Sequence, residues 1–507
     1  MFYTMGLKGI WIQWSWGFLM PAVFMTFAGK WVRRSNVITG AEWMETRFGS
    51  GIDAKIARMA YAIMSIIFTV GLIGYAFQGI GKFSSVYLPV TEHTGAFLII
   101  GLTSVYVILG GMYSVVFTDV VQTVILTFAA FIVAVICYHE LSYETLAAAA
   151  PEGWLSIIPS WEPAFLHDTD YRFFGVLCIA WVFKGLLLNS GGPGQLTDFQ
   201  RFLSTRSARD SCKVGAGWCV FLISRWAMCM GITALAIVGF EGISDPEKVL
   251  PHVLNTYLPI GIKGLVLAGF LAAFMSTFDS TINTGASYVV QDIYRGLFRP
   301  RAGQKELTWA GYLSSLLIVL LGVILGLKAT SVTSIWNWLM MVFGAGLLVP
   351  NALRWYWWRF NAWGVVASLG AGMMLCFGMT HYYPNASSYA ALYVIVGGSL
   401  IVGVLATLLT PATDRRLLRK FFATVRPGGF WGTIRDEAED EPDAVPKESF
   451  ARDLFNTAVA MIVVAGFYLA AIYSVIHMWT TAICLAVTAL AGSILLWRTW
   501  YRYLPED

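Results

Sequence analysis

Apolar stretches of about 20 residues recur along almost all of this 507-residue sequence and exclude most water-soluble folds. A helix needs about 20 mainly apolar residues to cross the hydrocarbon core of a bilayer. Charged residues make up 13% of the chain, against about 25% in soluble domains. We therefore expect an all-α integral membrane protein. About thirteen helices are predicted, near 10–28, 57–83, 94–110, 115–138, 172–190, 214–240, 261–291, 307–327, 332–353, 361–380, 389–410, 453–476 and 479–497.

The distribution of basic residues predicts the orientation. Most of the 34 Lys and Arg residues fall in every second loop and at the C-terminus. We expect the protein in the cell membrane. Short loops rich in Lys and Arg stay in the cytoplasm, so the C-terminus is expected on the cytoplasmic side. The net charge is only +4, with no basic patch typical of nucleic-acid binding. The expected partners are the lipid bilayer and small molecules.

One predicted helix carries a polar cluster. The segment LAGFLAAFMSTFDSTINTGASYVVQDIYR (267–295) starts as a lipid-compatible helix, but six polar residues then follow within eight positions. A charged group at the bilayer centre costs about 2.5–3.5 kcal/mol on insertion scales. Hydroxyls and a carboxylate suit a hard cation, which prefers oxygen ligands. Alternatively, the hydroxyls bond carbonyls one turn earlier and merely bend the helix.

Three further motifs accompany this segment: VITGAEWMETRFG (37–49), GGMYSVVFTDVVQ (110–122) and DFQRFLSTRSARDS (198–211). Together they resemble the sodium:solute symporter family, over about residues 3–410. The resemblance implies a five-plus-five inverted-repeat fold, with solute and ions bound at broken helices near the membrane midplane. It also implies sodium as the coupling ion.

The resemblance assigns two sets of cation ligands. The coupling sodium would be held by the carbonyl of Ala273 and the hydroxyls of Ser276 and Thr277. A second cation site, for Na⁺ or a proton, would use Asp119, Asp279 and Ser280. For Asp119 the alternative is a structural carboxylate that caps a helix end or pairs with an arginine.

The family's solute determinants lie on its first, second, sixth and seventh core helices. Gln13-Trp14 matches a Glu-Trp pair that binds sugar hydroxyls in some members, and KGLLLNSGGPGQ (184–195) matches a broken helix. Lys184 and Arg225 are cations inside predicted helices, a place where charged residues are by default functional. If their side chains do not contact solute, the alternative is that they snorkel to the interface or pair with Asp119 or Asp279. The candidate solute residues are Gln13, Trp14, Lys184, Asn189, Ser190, Gln195 (alternatively a loop cap) and Arg225.

The sequence departs from the family pattern at its start, because YTMGLKGIWIQW (3–14) matches the beginning of the second core helix. We expect that the start of the chain was assigned too far downstream, so that the first core helix is encoded before Met1. The alternative is a degenerate, non-transporting protein. The predicted division is a transporter core (1–353), two additional family helices (354–410), a polar cytoplasmic linker (411–452) and two C-terminal helices with a short tail (453–507).

The predicted function is a sodium-coupled symporter that imports a small polar solute, such as a sugar, an acidic sugar, an amino acid or a carboxylate. The alternative is a membrane sensor or scaffold that keeps the fold without transport. An enzyme is not expected, because the sequence has no HExxH motif, nucleophile elbow or phosphate-binding loop.

Overall fold

A computed structural model describes residues 2–167, 171–190, 199–240, 249–329, 331–383, 388–439, 441, 445 and 448–504. Helices dominate these ranges, and no strand longer than one isolated bridge forms within them. We number the helices α1 (residues 2–35, in several short pieces), α2 (Glu42–Phe48), α3 (Ile52–Tyr87), α4 (Glu92–Glu140), α5 (Tyr143–Ala149), α6 (Phe174–Ser190), α7 (Phe199–Leu203), α8 (Ala208–Gly239), α9 (Val249–Tyr257), α10 (Ile260–Phe298), α11 (Gln304–Lys328), α12 (Val332–Gly346), α13 (Leu348–Tyr356), α14 (Ala362–Tyr382), α15 (Ser388–Leu409), α16 (Arg415–Val425), α17 (Gly432–Glu437), α18 (Phe450–Val475) and α19 (Trp479–Thr499).

In the described ranges, nine helical stretches are long and apolar enough to cross a membrane. Every one of the thirteen predicted segments nevertheless falls on a helix. The counts differ because α4 contains two predicted segments, while α1, α6 and α12 are short or irregular. The all-helical membrane fold is therefore confirmed.

The long helix α4 is two helices joined by a reversal at Gly111. This residue has φ +56° and ψ −147°, outside the helical region, and glycine tolerates positive φ without steric cost. The Tyr106 hydroxyl interacts with the side chains of Thr118 and Gln122. In a continuous helix Tyr106 and Gln122 would lie about 24 Å apart along the axis. The chain therefore doubles back, and α4 forms a first arm (residues 92–110) and a second arm (residues 112–140).

Helix α1 is irregular, with a 3₁₀ piece at Gly6–Gln13 and π-helical pieces at Trp14–Leu19 and Phe24–Ala28. Its position next to α6 is fixed by the Trp14 indole, which donates to the carbonyl of Trp181 at 2.8 Å. Indole N–H groups usually find a partner when buried. This contact joins the two helices that were predicted to carry solute ligands.

The polar insert between α15 and α18 folds against the helices instead of extending away from them. Helix α16 buries Phe421 and Phe422, and Trp431 is fully buried before α17. The Trp431 indole donates to the carbonyl of Trp355 at 3.0 Å. Most charged residues of this insert are exposed or half-buried, so sequence polarity alone does not reveal its buried aromatic side.

An ion-pair cluster attaches the end of the insert and the start of α18 to α1. The ammonium of Lys30 lies 2.7 Å from Glu448 and 2.8 Å from Asp453, and Arg34 lies 2.7 Å from Glu448. All four side chains are at most 15% exposed. Buried charges require such pairing, because isolated ones would have to be desolvated without compensation.

Candidate functional site

The polar face of α10 meets the second arm of α4 and the short helix α7. Ser276 donates a hydrogen bond to the carboxylate of Asp119. Arg201 donates to the same carboxylate at 2.8 Å and to the Ser280 hydroxyl at 2.5 Å. The structure thus brings together three predicted cation ligands, Asp119, Ser276 and Ser280, around one guanidinium.

Asp279 lies next to this group but bonds to different partners. It is fully buried, and its Oδ2 accepts from the Tyr106 hydroxyl at 2.5 Å and from Thr118 at 3.5 Å. Its Oδ1 has no hydrogen-bond donor in the described part of the chain. A buried carboxylate oxygen without a donor is costly, so this atom is available to an ion or a proton.

The hydroxyls of α10 divide into two kinds. Thr277 donates to the carbonyl of Ala273 at 3.2 Å, and Thr281 donates to the carbonyl of Thr277 at 2.7 Å. These are the one-turn contacts that bend helices. Ser276 instead donates to Asp119 on another helix, and Ser280 accepts from Arg201 on α7, so these two hydroxyls are the ones that connect α10 to its neighbours in the cluster.

Side-chain oxygens from α4 and α10 converge here. Oxygen ligands are the type that a hard monovalent cation prefers. A small crevice beside them is lined by Met112, Arg201, Ser280 and Asn283. Arg201 already brings a positive charge to this place. A cation bound by Asp119 would therefore share the carboxylate with Arg201 or displace it.

The predicted solute residues are less closely grouped. Lys184 on α6 lies 3.4 Å from the sulfur of Met340 on α12, while the Asn189 amide donates to the carbonyl of Gly185 at 2.8 Å. Gln195 lies outside the described residues, and for Gln13 and Ser190 only the backbone is described. Trp14 is joined to α6 through Trp181.

Arg225 on α8 has a separate environment. It interacts electrostatically with the hydroxyl of Tyr468 on α18. Its Nε has no hydrogen-bond acceptor in the described ranges, and the Tyr468 hydroxyl is likewise unbonded there. Neither of the pairings considered from the sequence, Arg225 or Lys184 with Asp119 or Asp279, is formed: Asp119 pairs with Arg201 instead.

Three residues of the site were not singled out in the sequence: Arg201, Tyr106 and Thr118. Arg201 lies within the DFQRFLST motif, so its position was visible but its partner was not. Tyr106 and Thr118 meet Asp279 only because α4 reverses at Gly111. The pair Gly110-Gly111 is the sequence signal for such a break.

This bundle of apolar helices, with carboxylates and hydroxyls between them, defines an integral membrane protein with a polar interior. The sodium:solute symporter family model matches residues 1–372, well over half of the chain. The protein belongs to the sodium:solute symporter family, and it is therefore a transporter and not an enzyme.

Individual relatives agree with this assignment. The chain is 25% identical over 433 residues to the high-affinity proline transporter PutP of Bacillus subtilis, covering 83% of this chain and 87% of the relative. It is 24% identical to the sodium/proline symporter of Haemophilus influenzae, covering 76% and 77%.

The fold agrees with that of a solved structure, the substrate-bound outward-open state of a Na⁺-coupled sialic acid symporter. The TM-score is 0.60 with 16% identity, over 82% of this chain and 91% of the other. This similarity, in an all-helical chain, confirms the inverted-repeat symporter fold that the sequence motifs implied.

Proposed function

We propose that this protein couples the inward movement of Na⁺ to the uptake of a small polar organic solute. The observation that carries the proposal is the contact of Ser276 on α10 with Asp119 on α4. It joins oxygens of two helices in a membrane interior, where polar groups are expensive and by default functional. Membership of a symporter family supports the same function.

In this proposal, the coupling ion is bound by Ala273, Ser276 and Thr277. The Thr277 hydroxyl and the Ala273 carbonyl already lie within 3.2 Å of each other, so a small rotation of the hydroxyl would direct both oxygens at one ion. Asp119, Asp279 and Ser280 provide a second cation or proton site. Arg201 regulates that second site, because it competes for the Asp119 carboxylate.

For the solute, we propose the faces of α1 and α6 that meet at Trp14, with Lys184 as the charged contact. The Lys184 ammonium lies beside the Met340 sulfur and forms no ion pair with a described residue, which favours a solute that carries a carboxylate. Gln13, Asn189, Ser190, Gln195 and Arg225 complete the proposed set. Proline is the first solute to test. It carries a carboxylate, and it is the substrate in the names of two relatives.

The test is uptake into proteoliposomes under an inward Na⁺ gradient, with a K⁺ gradient as control. Labelled proline, a neutral hexose, sialic acid and a short carboxylate would be compared. We expect one solute to accumulate only with Na⁺. Equal accumulation in both gradients would contradict sodium coupling. If no solute is taken up but Na⁺ still stabilises the protein against unfolding, the result would favour a sensor.

The solute assignment is tested by Lys184→Gln, with Lys328→Gln as a control in a helix end away from the proposed site. Loss of a hydrogen bond to a charged group costs about 1.5–3 kcal/mol, or roughly a twelve- to 150-fold rise in the apparent solute constant. An unchanged constant in the Lys184 variant would remove this residue from the solute site.

We also propose that the C-terminus is cytoplasmic. The support is the concentration of Lys and Arg in the alternate loops and at the C-terminal end. Cysteine labelling checks this orientation: a cysteine introduced at exposed Arg502 should react with a membrane-impermeant maleimide only in inverted vesicles. Labelling from the outside of intact cells would reverse the orientation.

A further inference from the structure

An apolar crevice opens between α8, α18 and α19, and none of its lining residues belongs to α10. Its volume is about 480 Å³, within the range of pockets that hold small-molecule ligands. The wall is formed almost wholly by apolar side chains, including Val220, Phe467, Leu496 and Trp497. Such a lining suits a hydrocarbon chain and not a polar solute.

Two aromatic rings of the crevice wall carry arginines. The guanidinium carbon of Arg502 lies 4.6 Å from the ring centre of Trp497, and that of Arg209 lies 5.7 Å from the ring centre of Tyr501. Both rings line the crevice. Attraction between a cation and an aromatic face acts within about 6 Å, so the contacts hold two positive charges at one end of an apolar space.

This charged end lies where the headgroup region of a bilayer is expected. Trp497 and Tyr501 stand at the C-terminal end of the spanning helix α19 and are 51% and 38% exposed. Tryptophan and tyrosine concentrate at membrane–water interfaces. The indole of Trp500 donates to the carbonyl of Met25 at 3.0 Å and attaches this end of the wall to α1.

We propose that the crevice binds an anionic phospholipid, with one acyl chain between α8, α18 and α19 and the phosphate group between Arg209 and Arg502. Charge complementarity selects this occupant, because basic pockets between membrane helices attract anionic headgroups. Arginine also presents paired donors that match phosphate oxygens. A phosphatidylcholine headgroup is neutral overall and lacks the net charge that these arginines attract.

The experiment uses the full chain, purified in detergent and stripped of lipid. Phosphatidylglycerol or phosphatidylcholine is added in increasing amounts, and the melting temperature and the lipid retained in native mass spectrometry are measured. We expect phosphatidylglycerol to bind more tightly and to raise the melting temperature more. Equal binding of the two lipids would overturn the proposal.

The double variant Arg209→Gln/Arg502→Gln should bind phosphatidylglycerol about thirtyfold more weakly, since each basic residue near an anionic surface contributes roughly fivefold. The matched control Arg301→Gln/Lys305→Gln removes two exposed basic residues, one from the connection between α10 and α11 and one from the first turn of α11, and should bind normally. Equal loss in both double variants would reduce the effect to overall charge and contradict the site.

A second variant tests the crevice itself. Val220→Trp places a large ring in the crevice and should abolish retention of phosphatidylglycerol, whereas Val214→Trp, also exposed on α8 but outside the crevice wall, should not. Undiminished lipid retention in Val220→Trp would overturn the proposal. So would light scattering that finds a wild-type dimer broken by Val220→Trp, because the occupant would then be a second copy of the chain.

Discussion

Arg201 and Asp119 form an ion pair, with 2.8 Å between the guanidinium nitrogen and the carboxylate oxygen, at the position where α10 gathers its hydroxyls. The side chains are 36% and 19% exposed. The pair is thus partly accessible, and water weakens its attraction. A carboxylate held by a breakable internal cation is able to exchange that partner for an external one.

The first prediction follows from this exchange. In Arg201→Gln the Asp119 carboxylate loses its internal partner, which competes with external cations. An external cation should therefore bind the carboxylate more readily. We expect the Na⁺ concentration for half-maximal uptake to fall, or the Hill slope to rise. Asp119→Asn should do the opposite, because it removes the negative charge. Arg206→Gln, a loop arginine of the same motif, is the control. Unchanged Na⁺ dependence in both variants would make the pair structural.

Asp279 is expected to govern the proton dependence or stoichiometry of uptake. Its Oδ1 lacks a donor in the described ranges, while Oδ2 is held by Tyr106. Asp279→Asn should alter the Hill slope for Na⁺ or the pH profile of uptake more than the apparent solute constant. Tyr106→Phe should shift the same profile, because it removes the donor to Oδ2. Profiles identical to wild type in both variants would contradict this role.

The hydroxyls of α10 provide a third test. Ser276→Ala/Thr277→Ala removes two oxygens from the proposed coupling site, so the Na⁺ dependence of uptake should weaken sharply while the protein still folds. Ser287→Ala is a matched control, since its hydroxyl donates to the carbonyl of Asn283 at 2.9 Å on the same helix and to no other described residue. If the double variant keeps the wild-type Na⁺ affinity, the coupling ion binds elsewhere.

The sequence predicted the features that depend on local pattern and missed the contacts between residues far apart in the chain. Apolar length alone locates every long helix, and the motif around Asp119 and Ser276 identifies the helices that meet. The partner of Asp119 could not be derived, because Arg201 lies 82 positions away in a short helix without periodic signal. Asp279 and Tyr106 meet only through the reversal at Gly111, which hydropathy does not resolve.

The insert before α18 is a second case in which composition was insufficient. Its charged residues predicted a linker, yet the same segment carries aromatic side chains that are buried. Phe421, Phe422 and Trp431 are buried. Phe421 packs against Trp43 of α2 and Trp355 of α13, and the Trp431 indole donates to the carbonyl of Trp355. The partner surface that covers them comes from residues more than 60 positions earlier in the chain, and a local pattern carries no information about it.

Glu448 gives a pH-dependent prediction for the attachment of α18. Burial alone would raise the pKa of Glu448, but the hydrogen bond and positive charge of Arg34 and the charge of Lys30 outweigh it and lower the pKa to about 2. A lowered carboxyl pKa means stability that is present above the unfolded value, 4.5, and is lost as the pH falls towards 2.

Glu448→Gln should therefore destabilise the protein by about 1.5–3 kcal/mol at neutral pH, the value of a hydrogen bond to a charged group. The difference in melting temperature from wild type should persist down to about pH 5 and shrink below that. Glu437→Gln, whose partner Arg415 is 62% exposed, is the control and should change little. A difference that grows on acidification would contradict the assignment.

The last prediction concerns Arg47, a fully buried cation that is surrounded by rings and carbonyls. Its guanidinium lies 4.9 Å from the ring centre of Trp431 and 5.4 Å from that of Phe421, and burial lowers the pKa of Arg47 to about 9. It donates to the carbonyls of Arg354, Trp357 and Trp358 at 3.2, 3.4 and 3.1 Å.

Lysine cannot replace this arrangement, because a compact ammonium neither stacks flat on aromatic rings nor spans three separated carbonyls. We expect Arg47→Lys to lower stability by about 3 kcal/mol, through unpaired carbonyls and lost stacking. Arg415→Lys, at the exposed face of α16, should stay within about 0.5 kcal/mol of wild type. Thermal unfolding followed by tryptophan fluorescence distinguishes the two variants, since Trp43, Trp355 and Trp431 lie in this cluster. Equal melting temperatures would mean that the charge alone, and not the planar shape of the guanidinium, holds the insert against the helices.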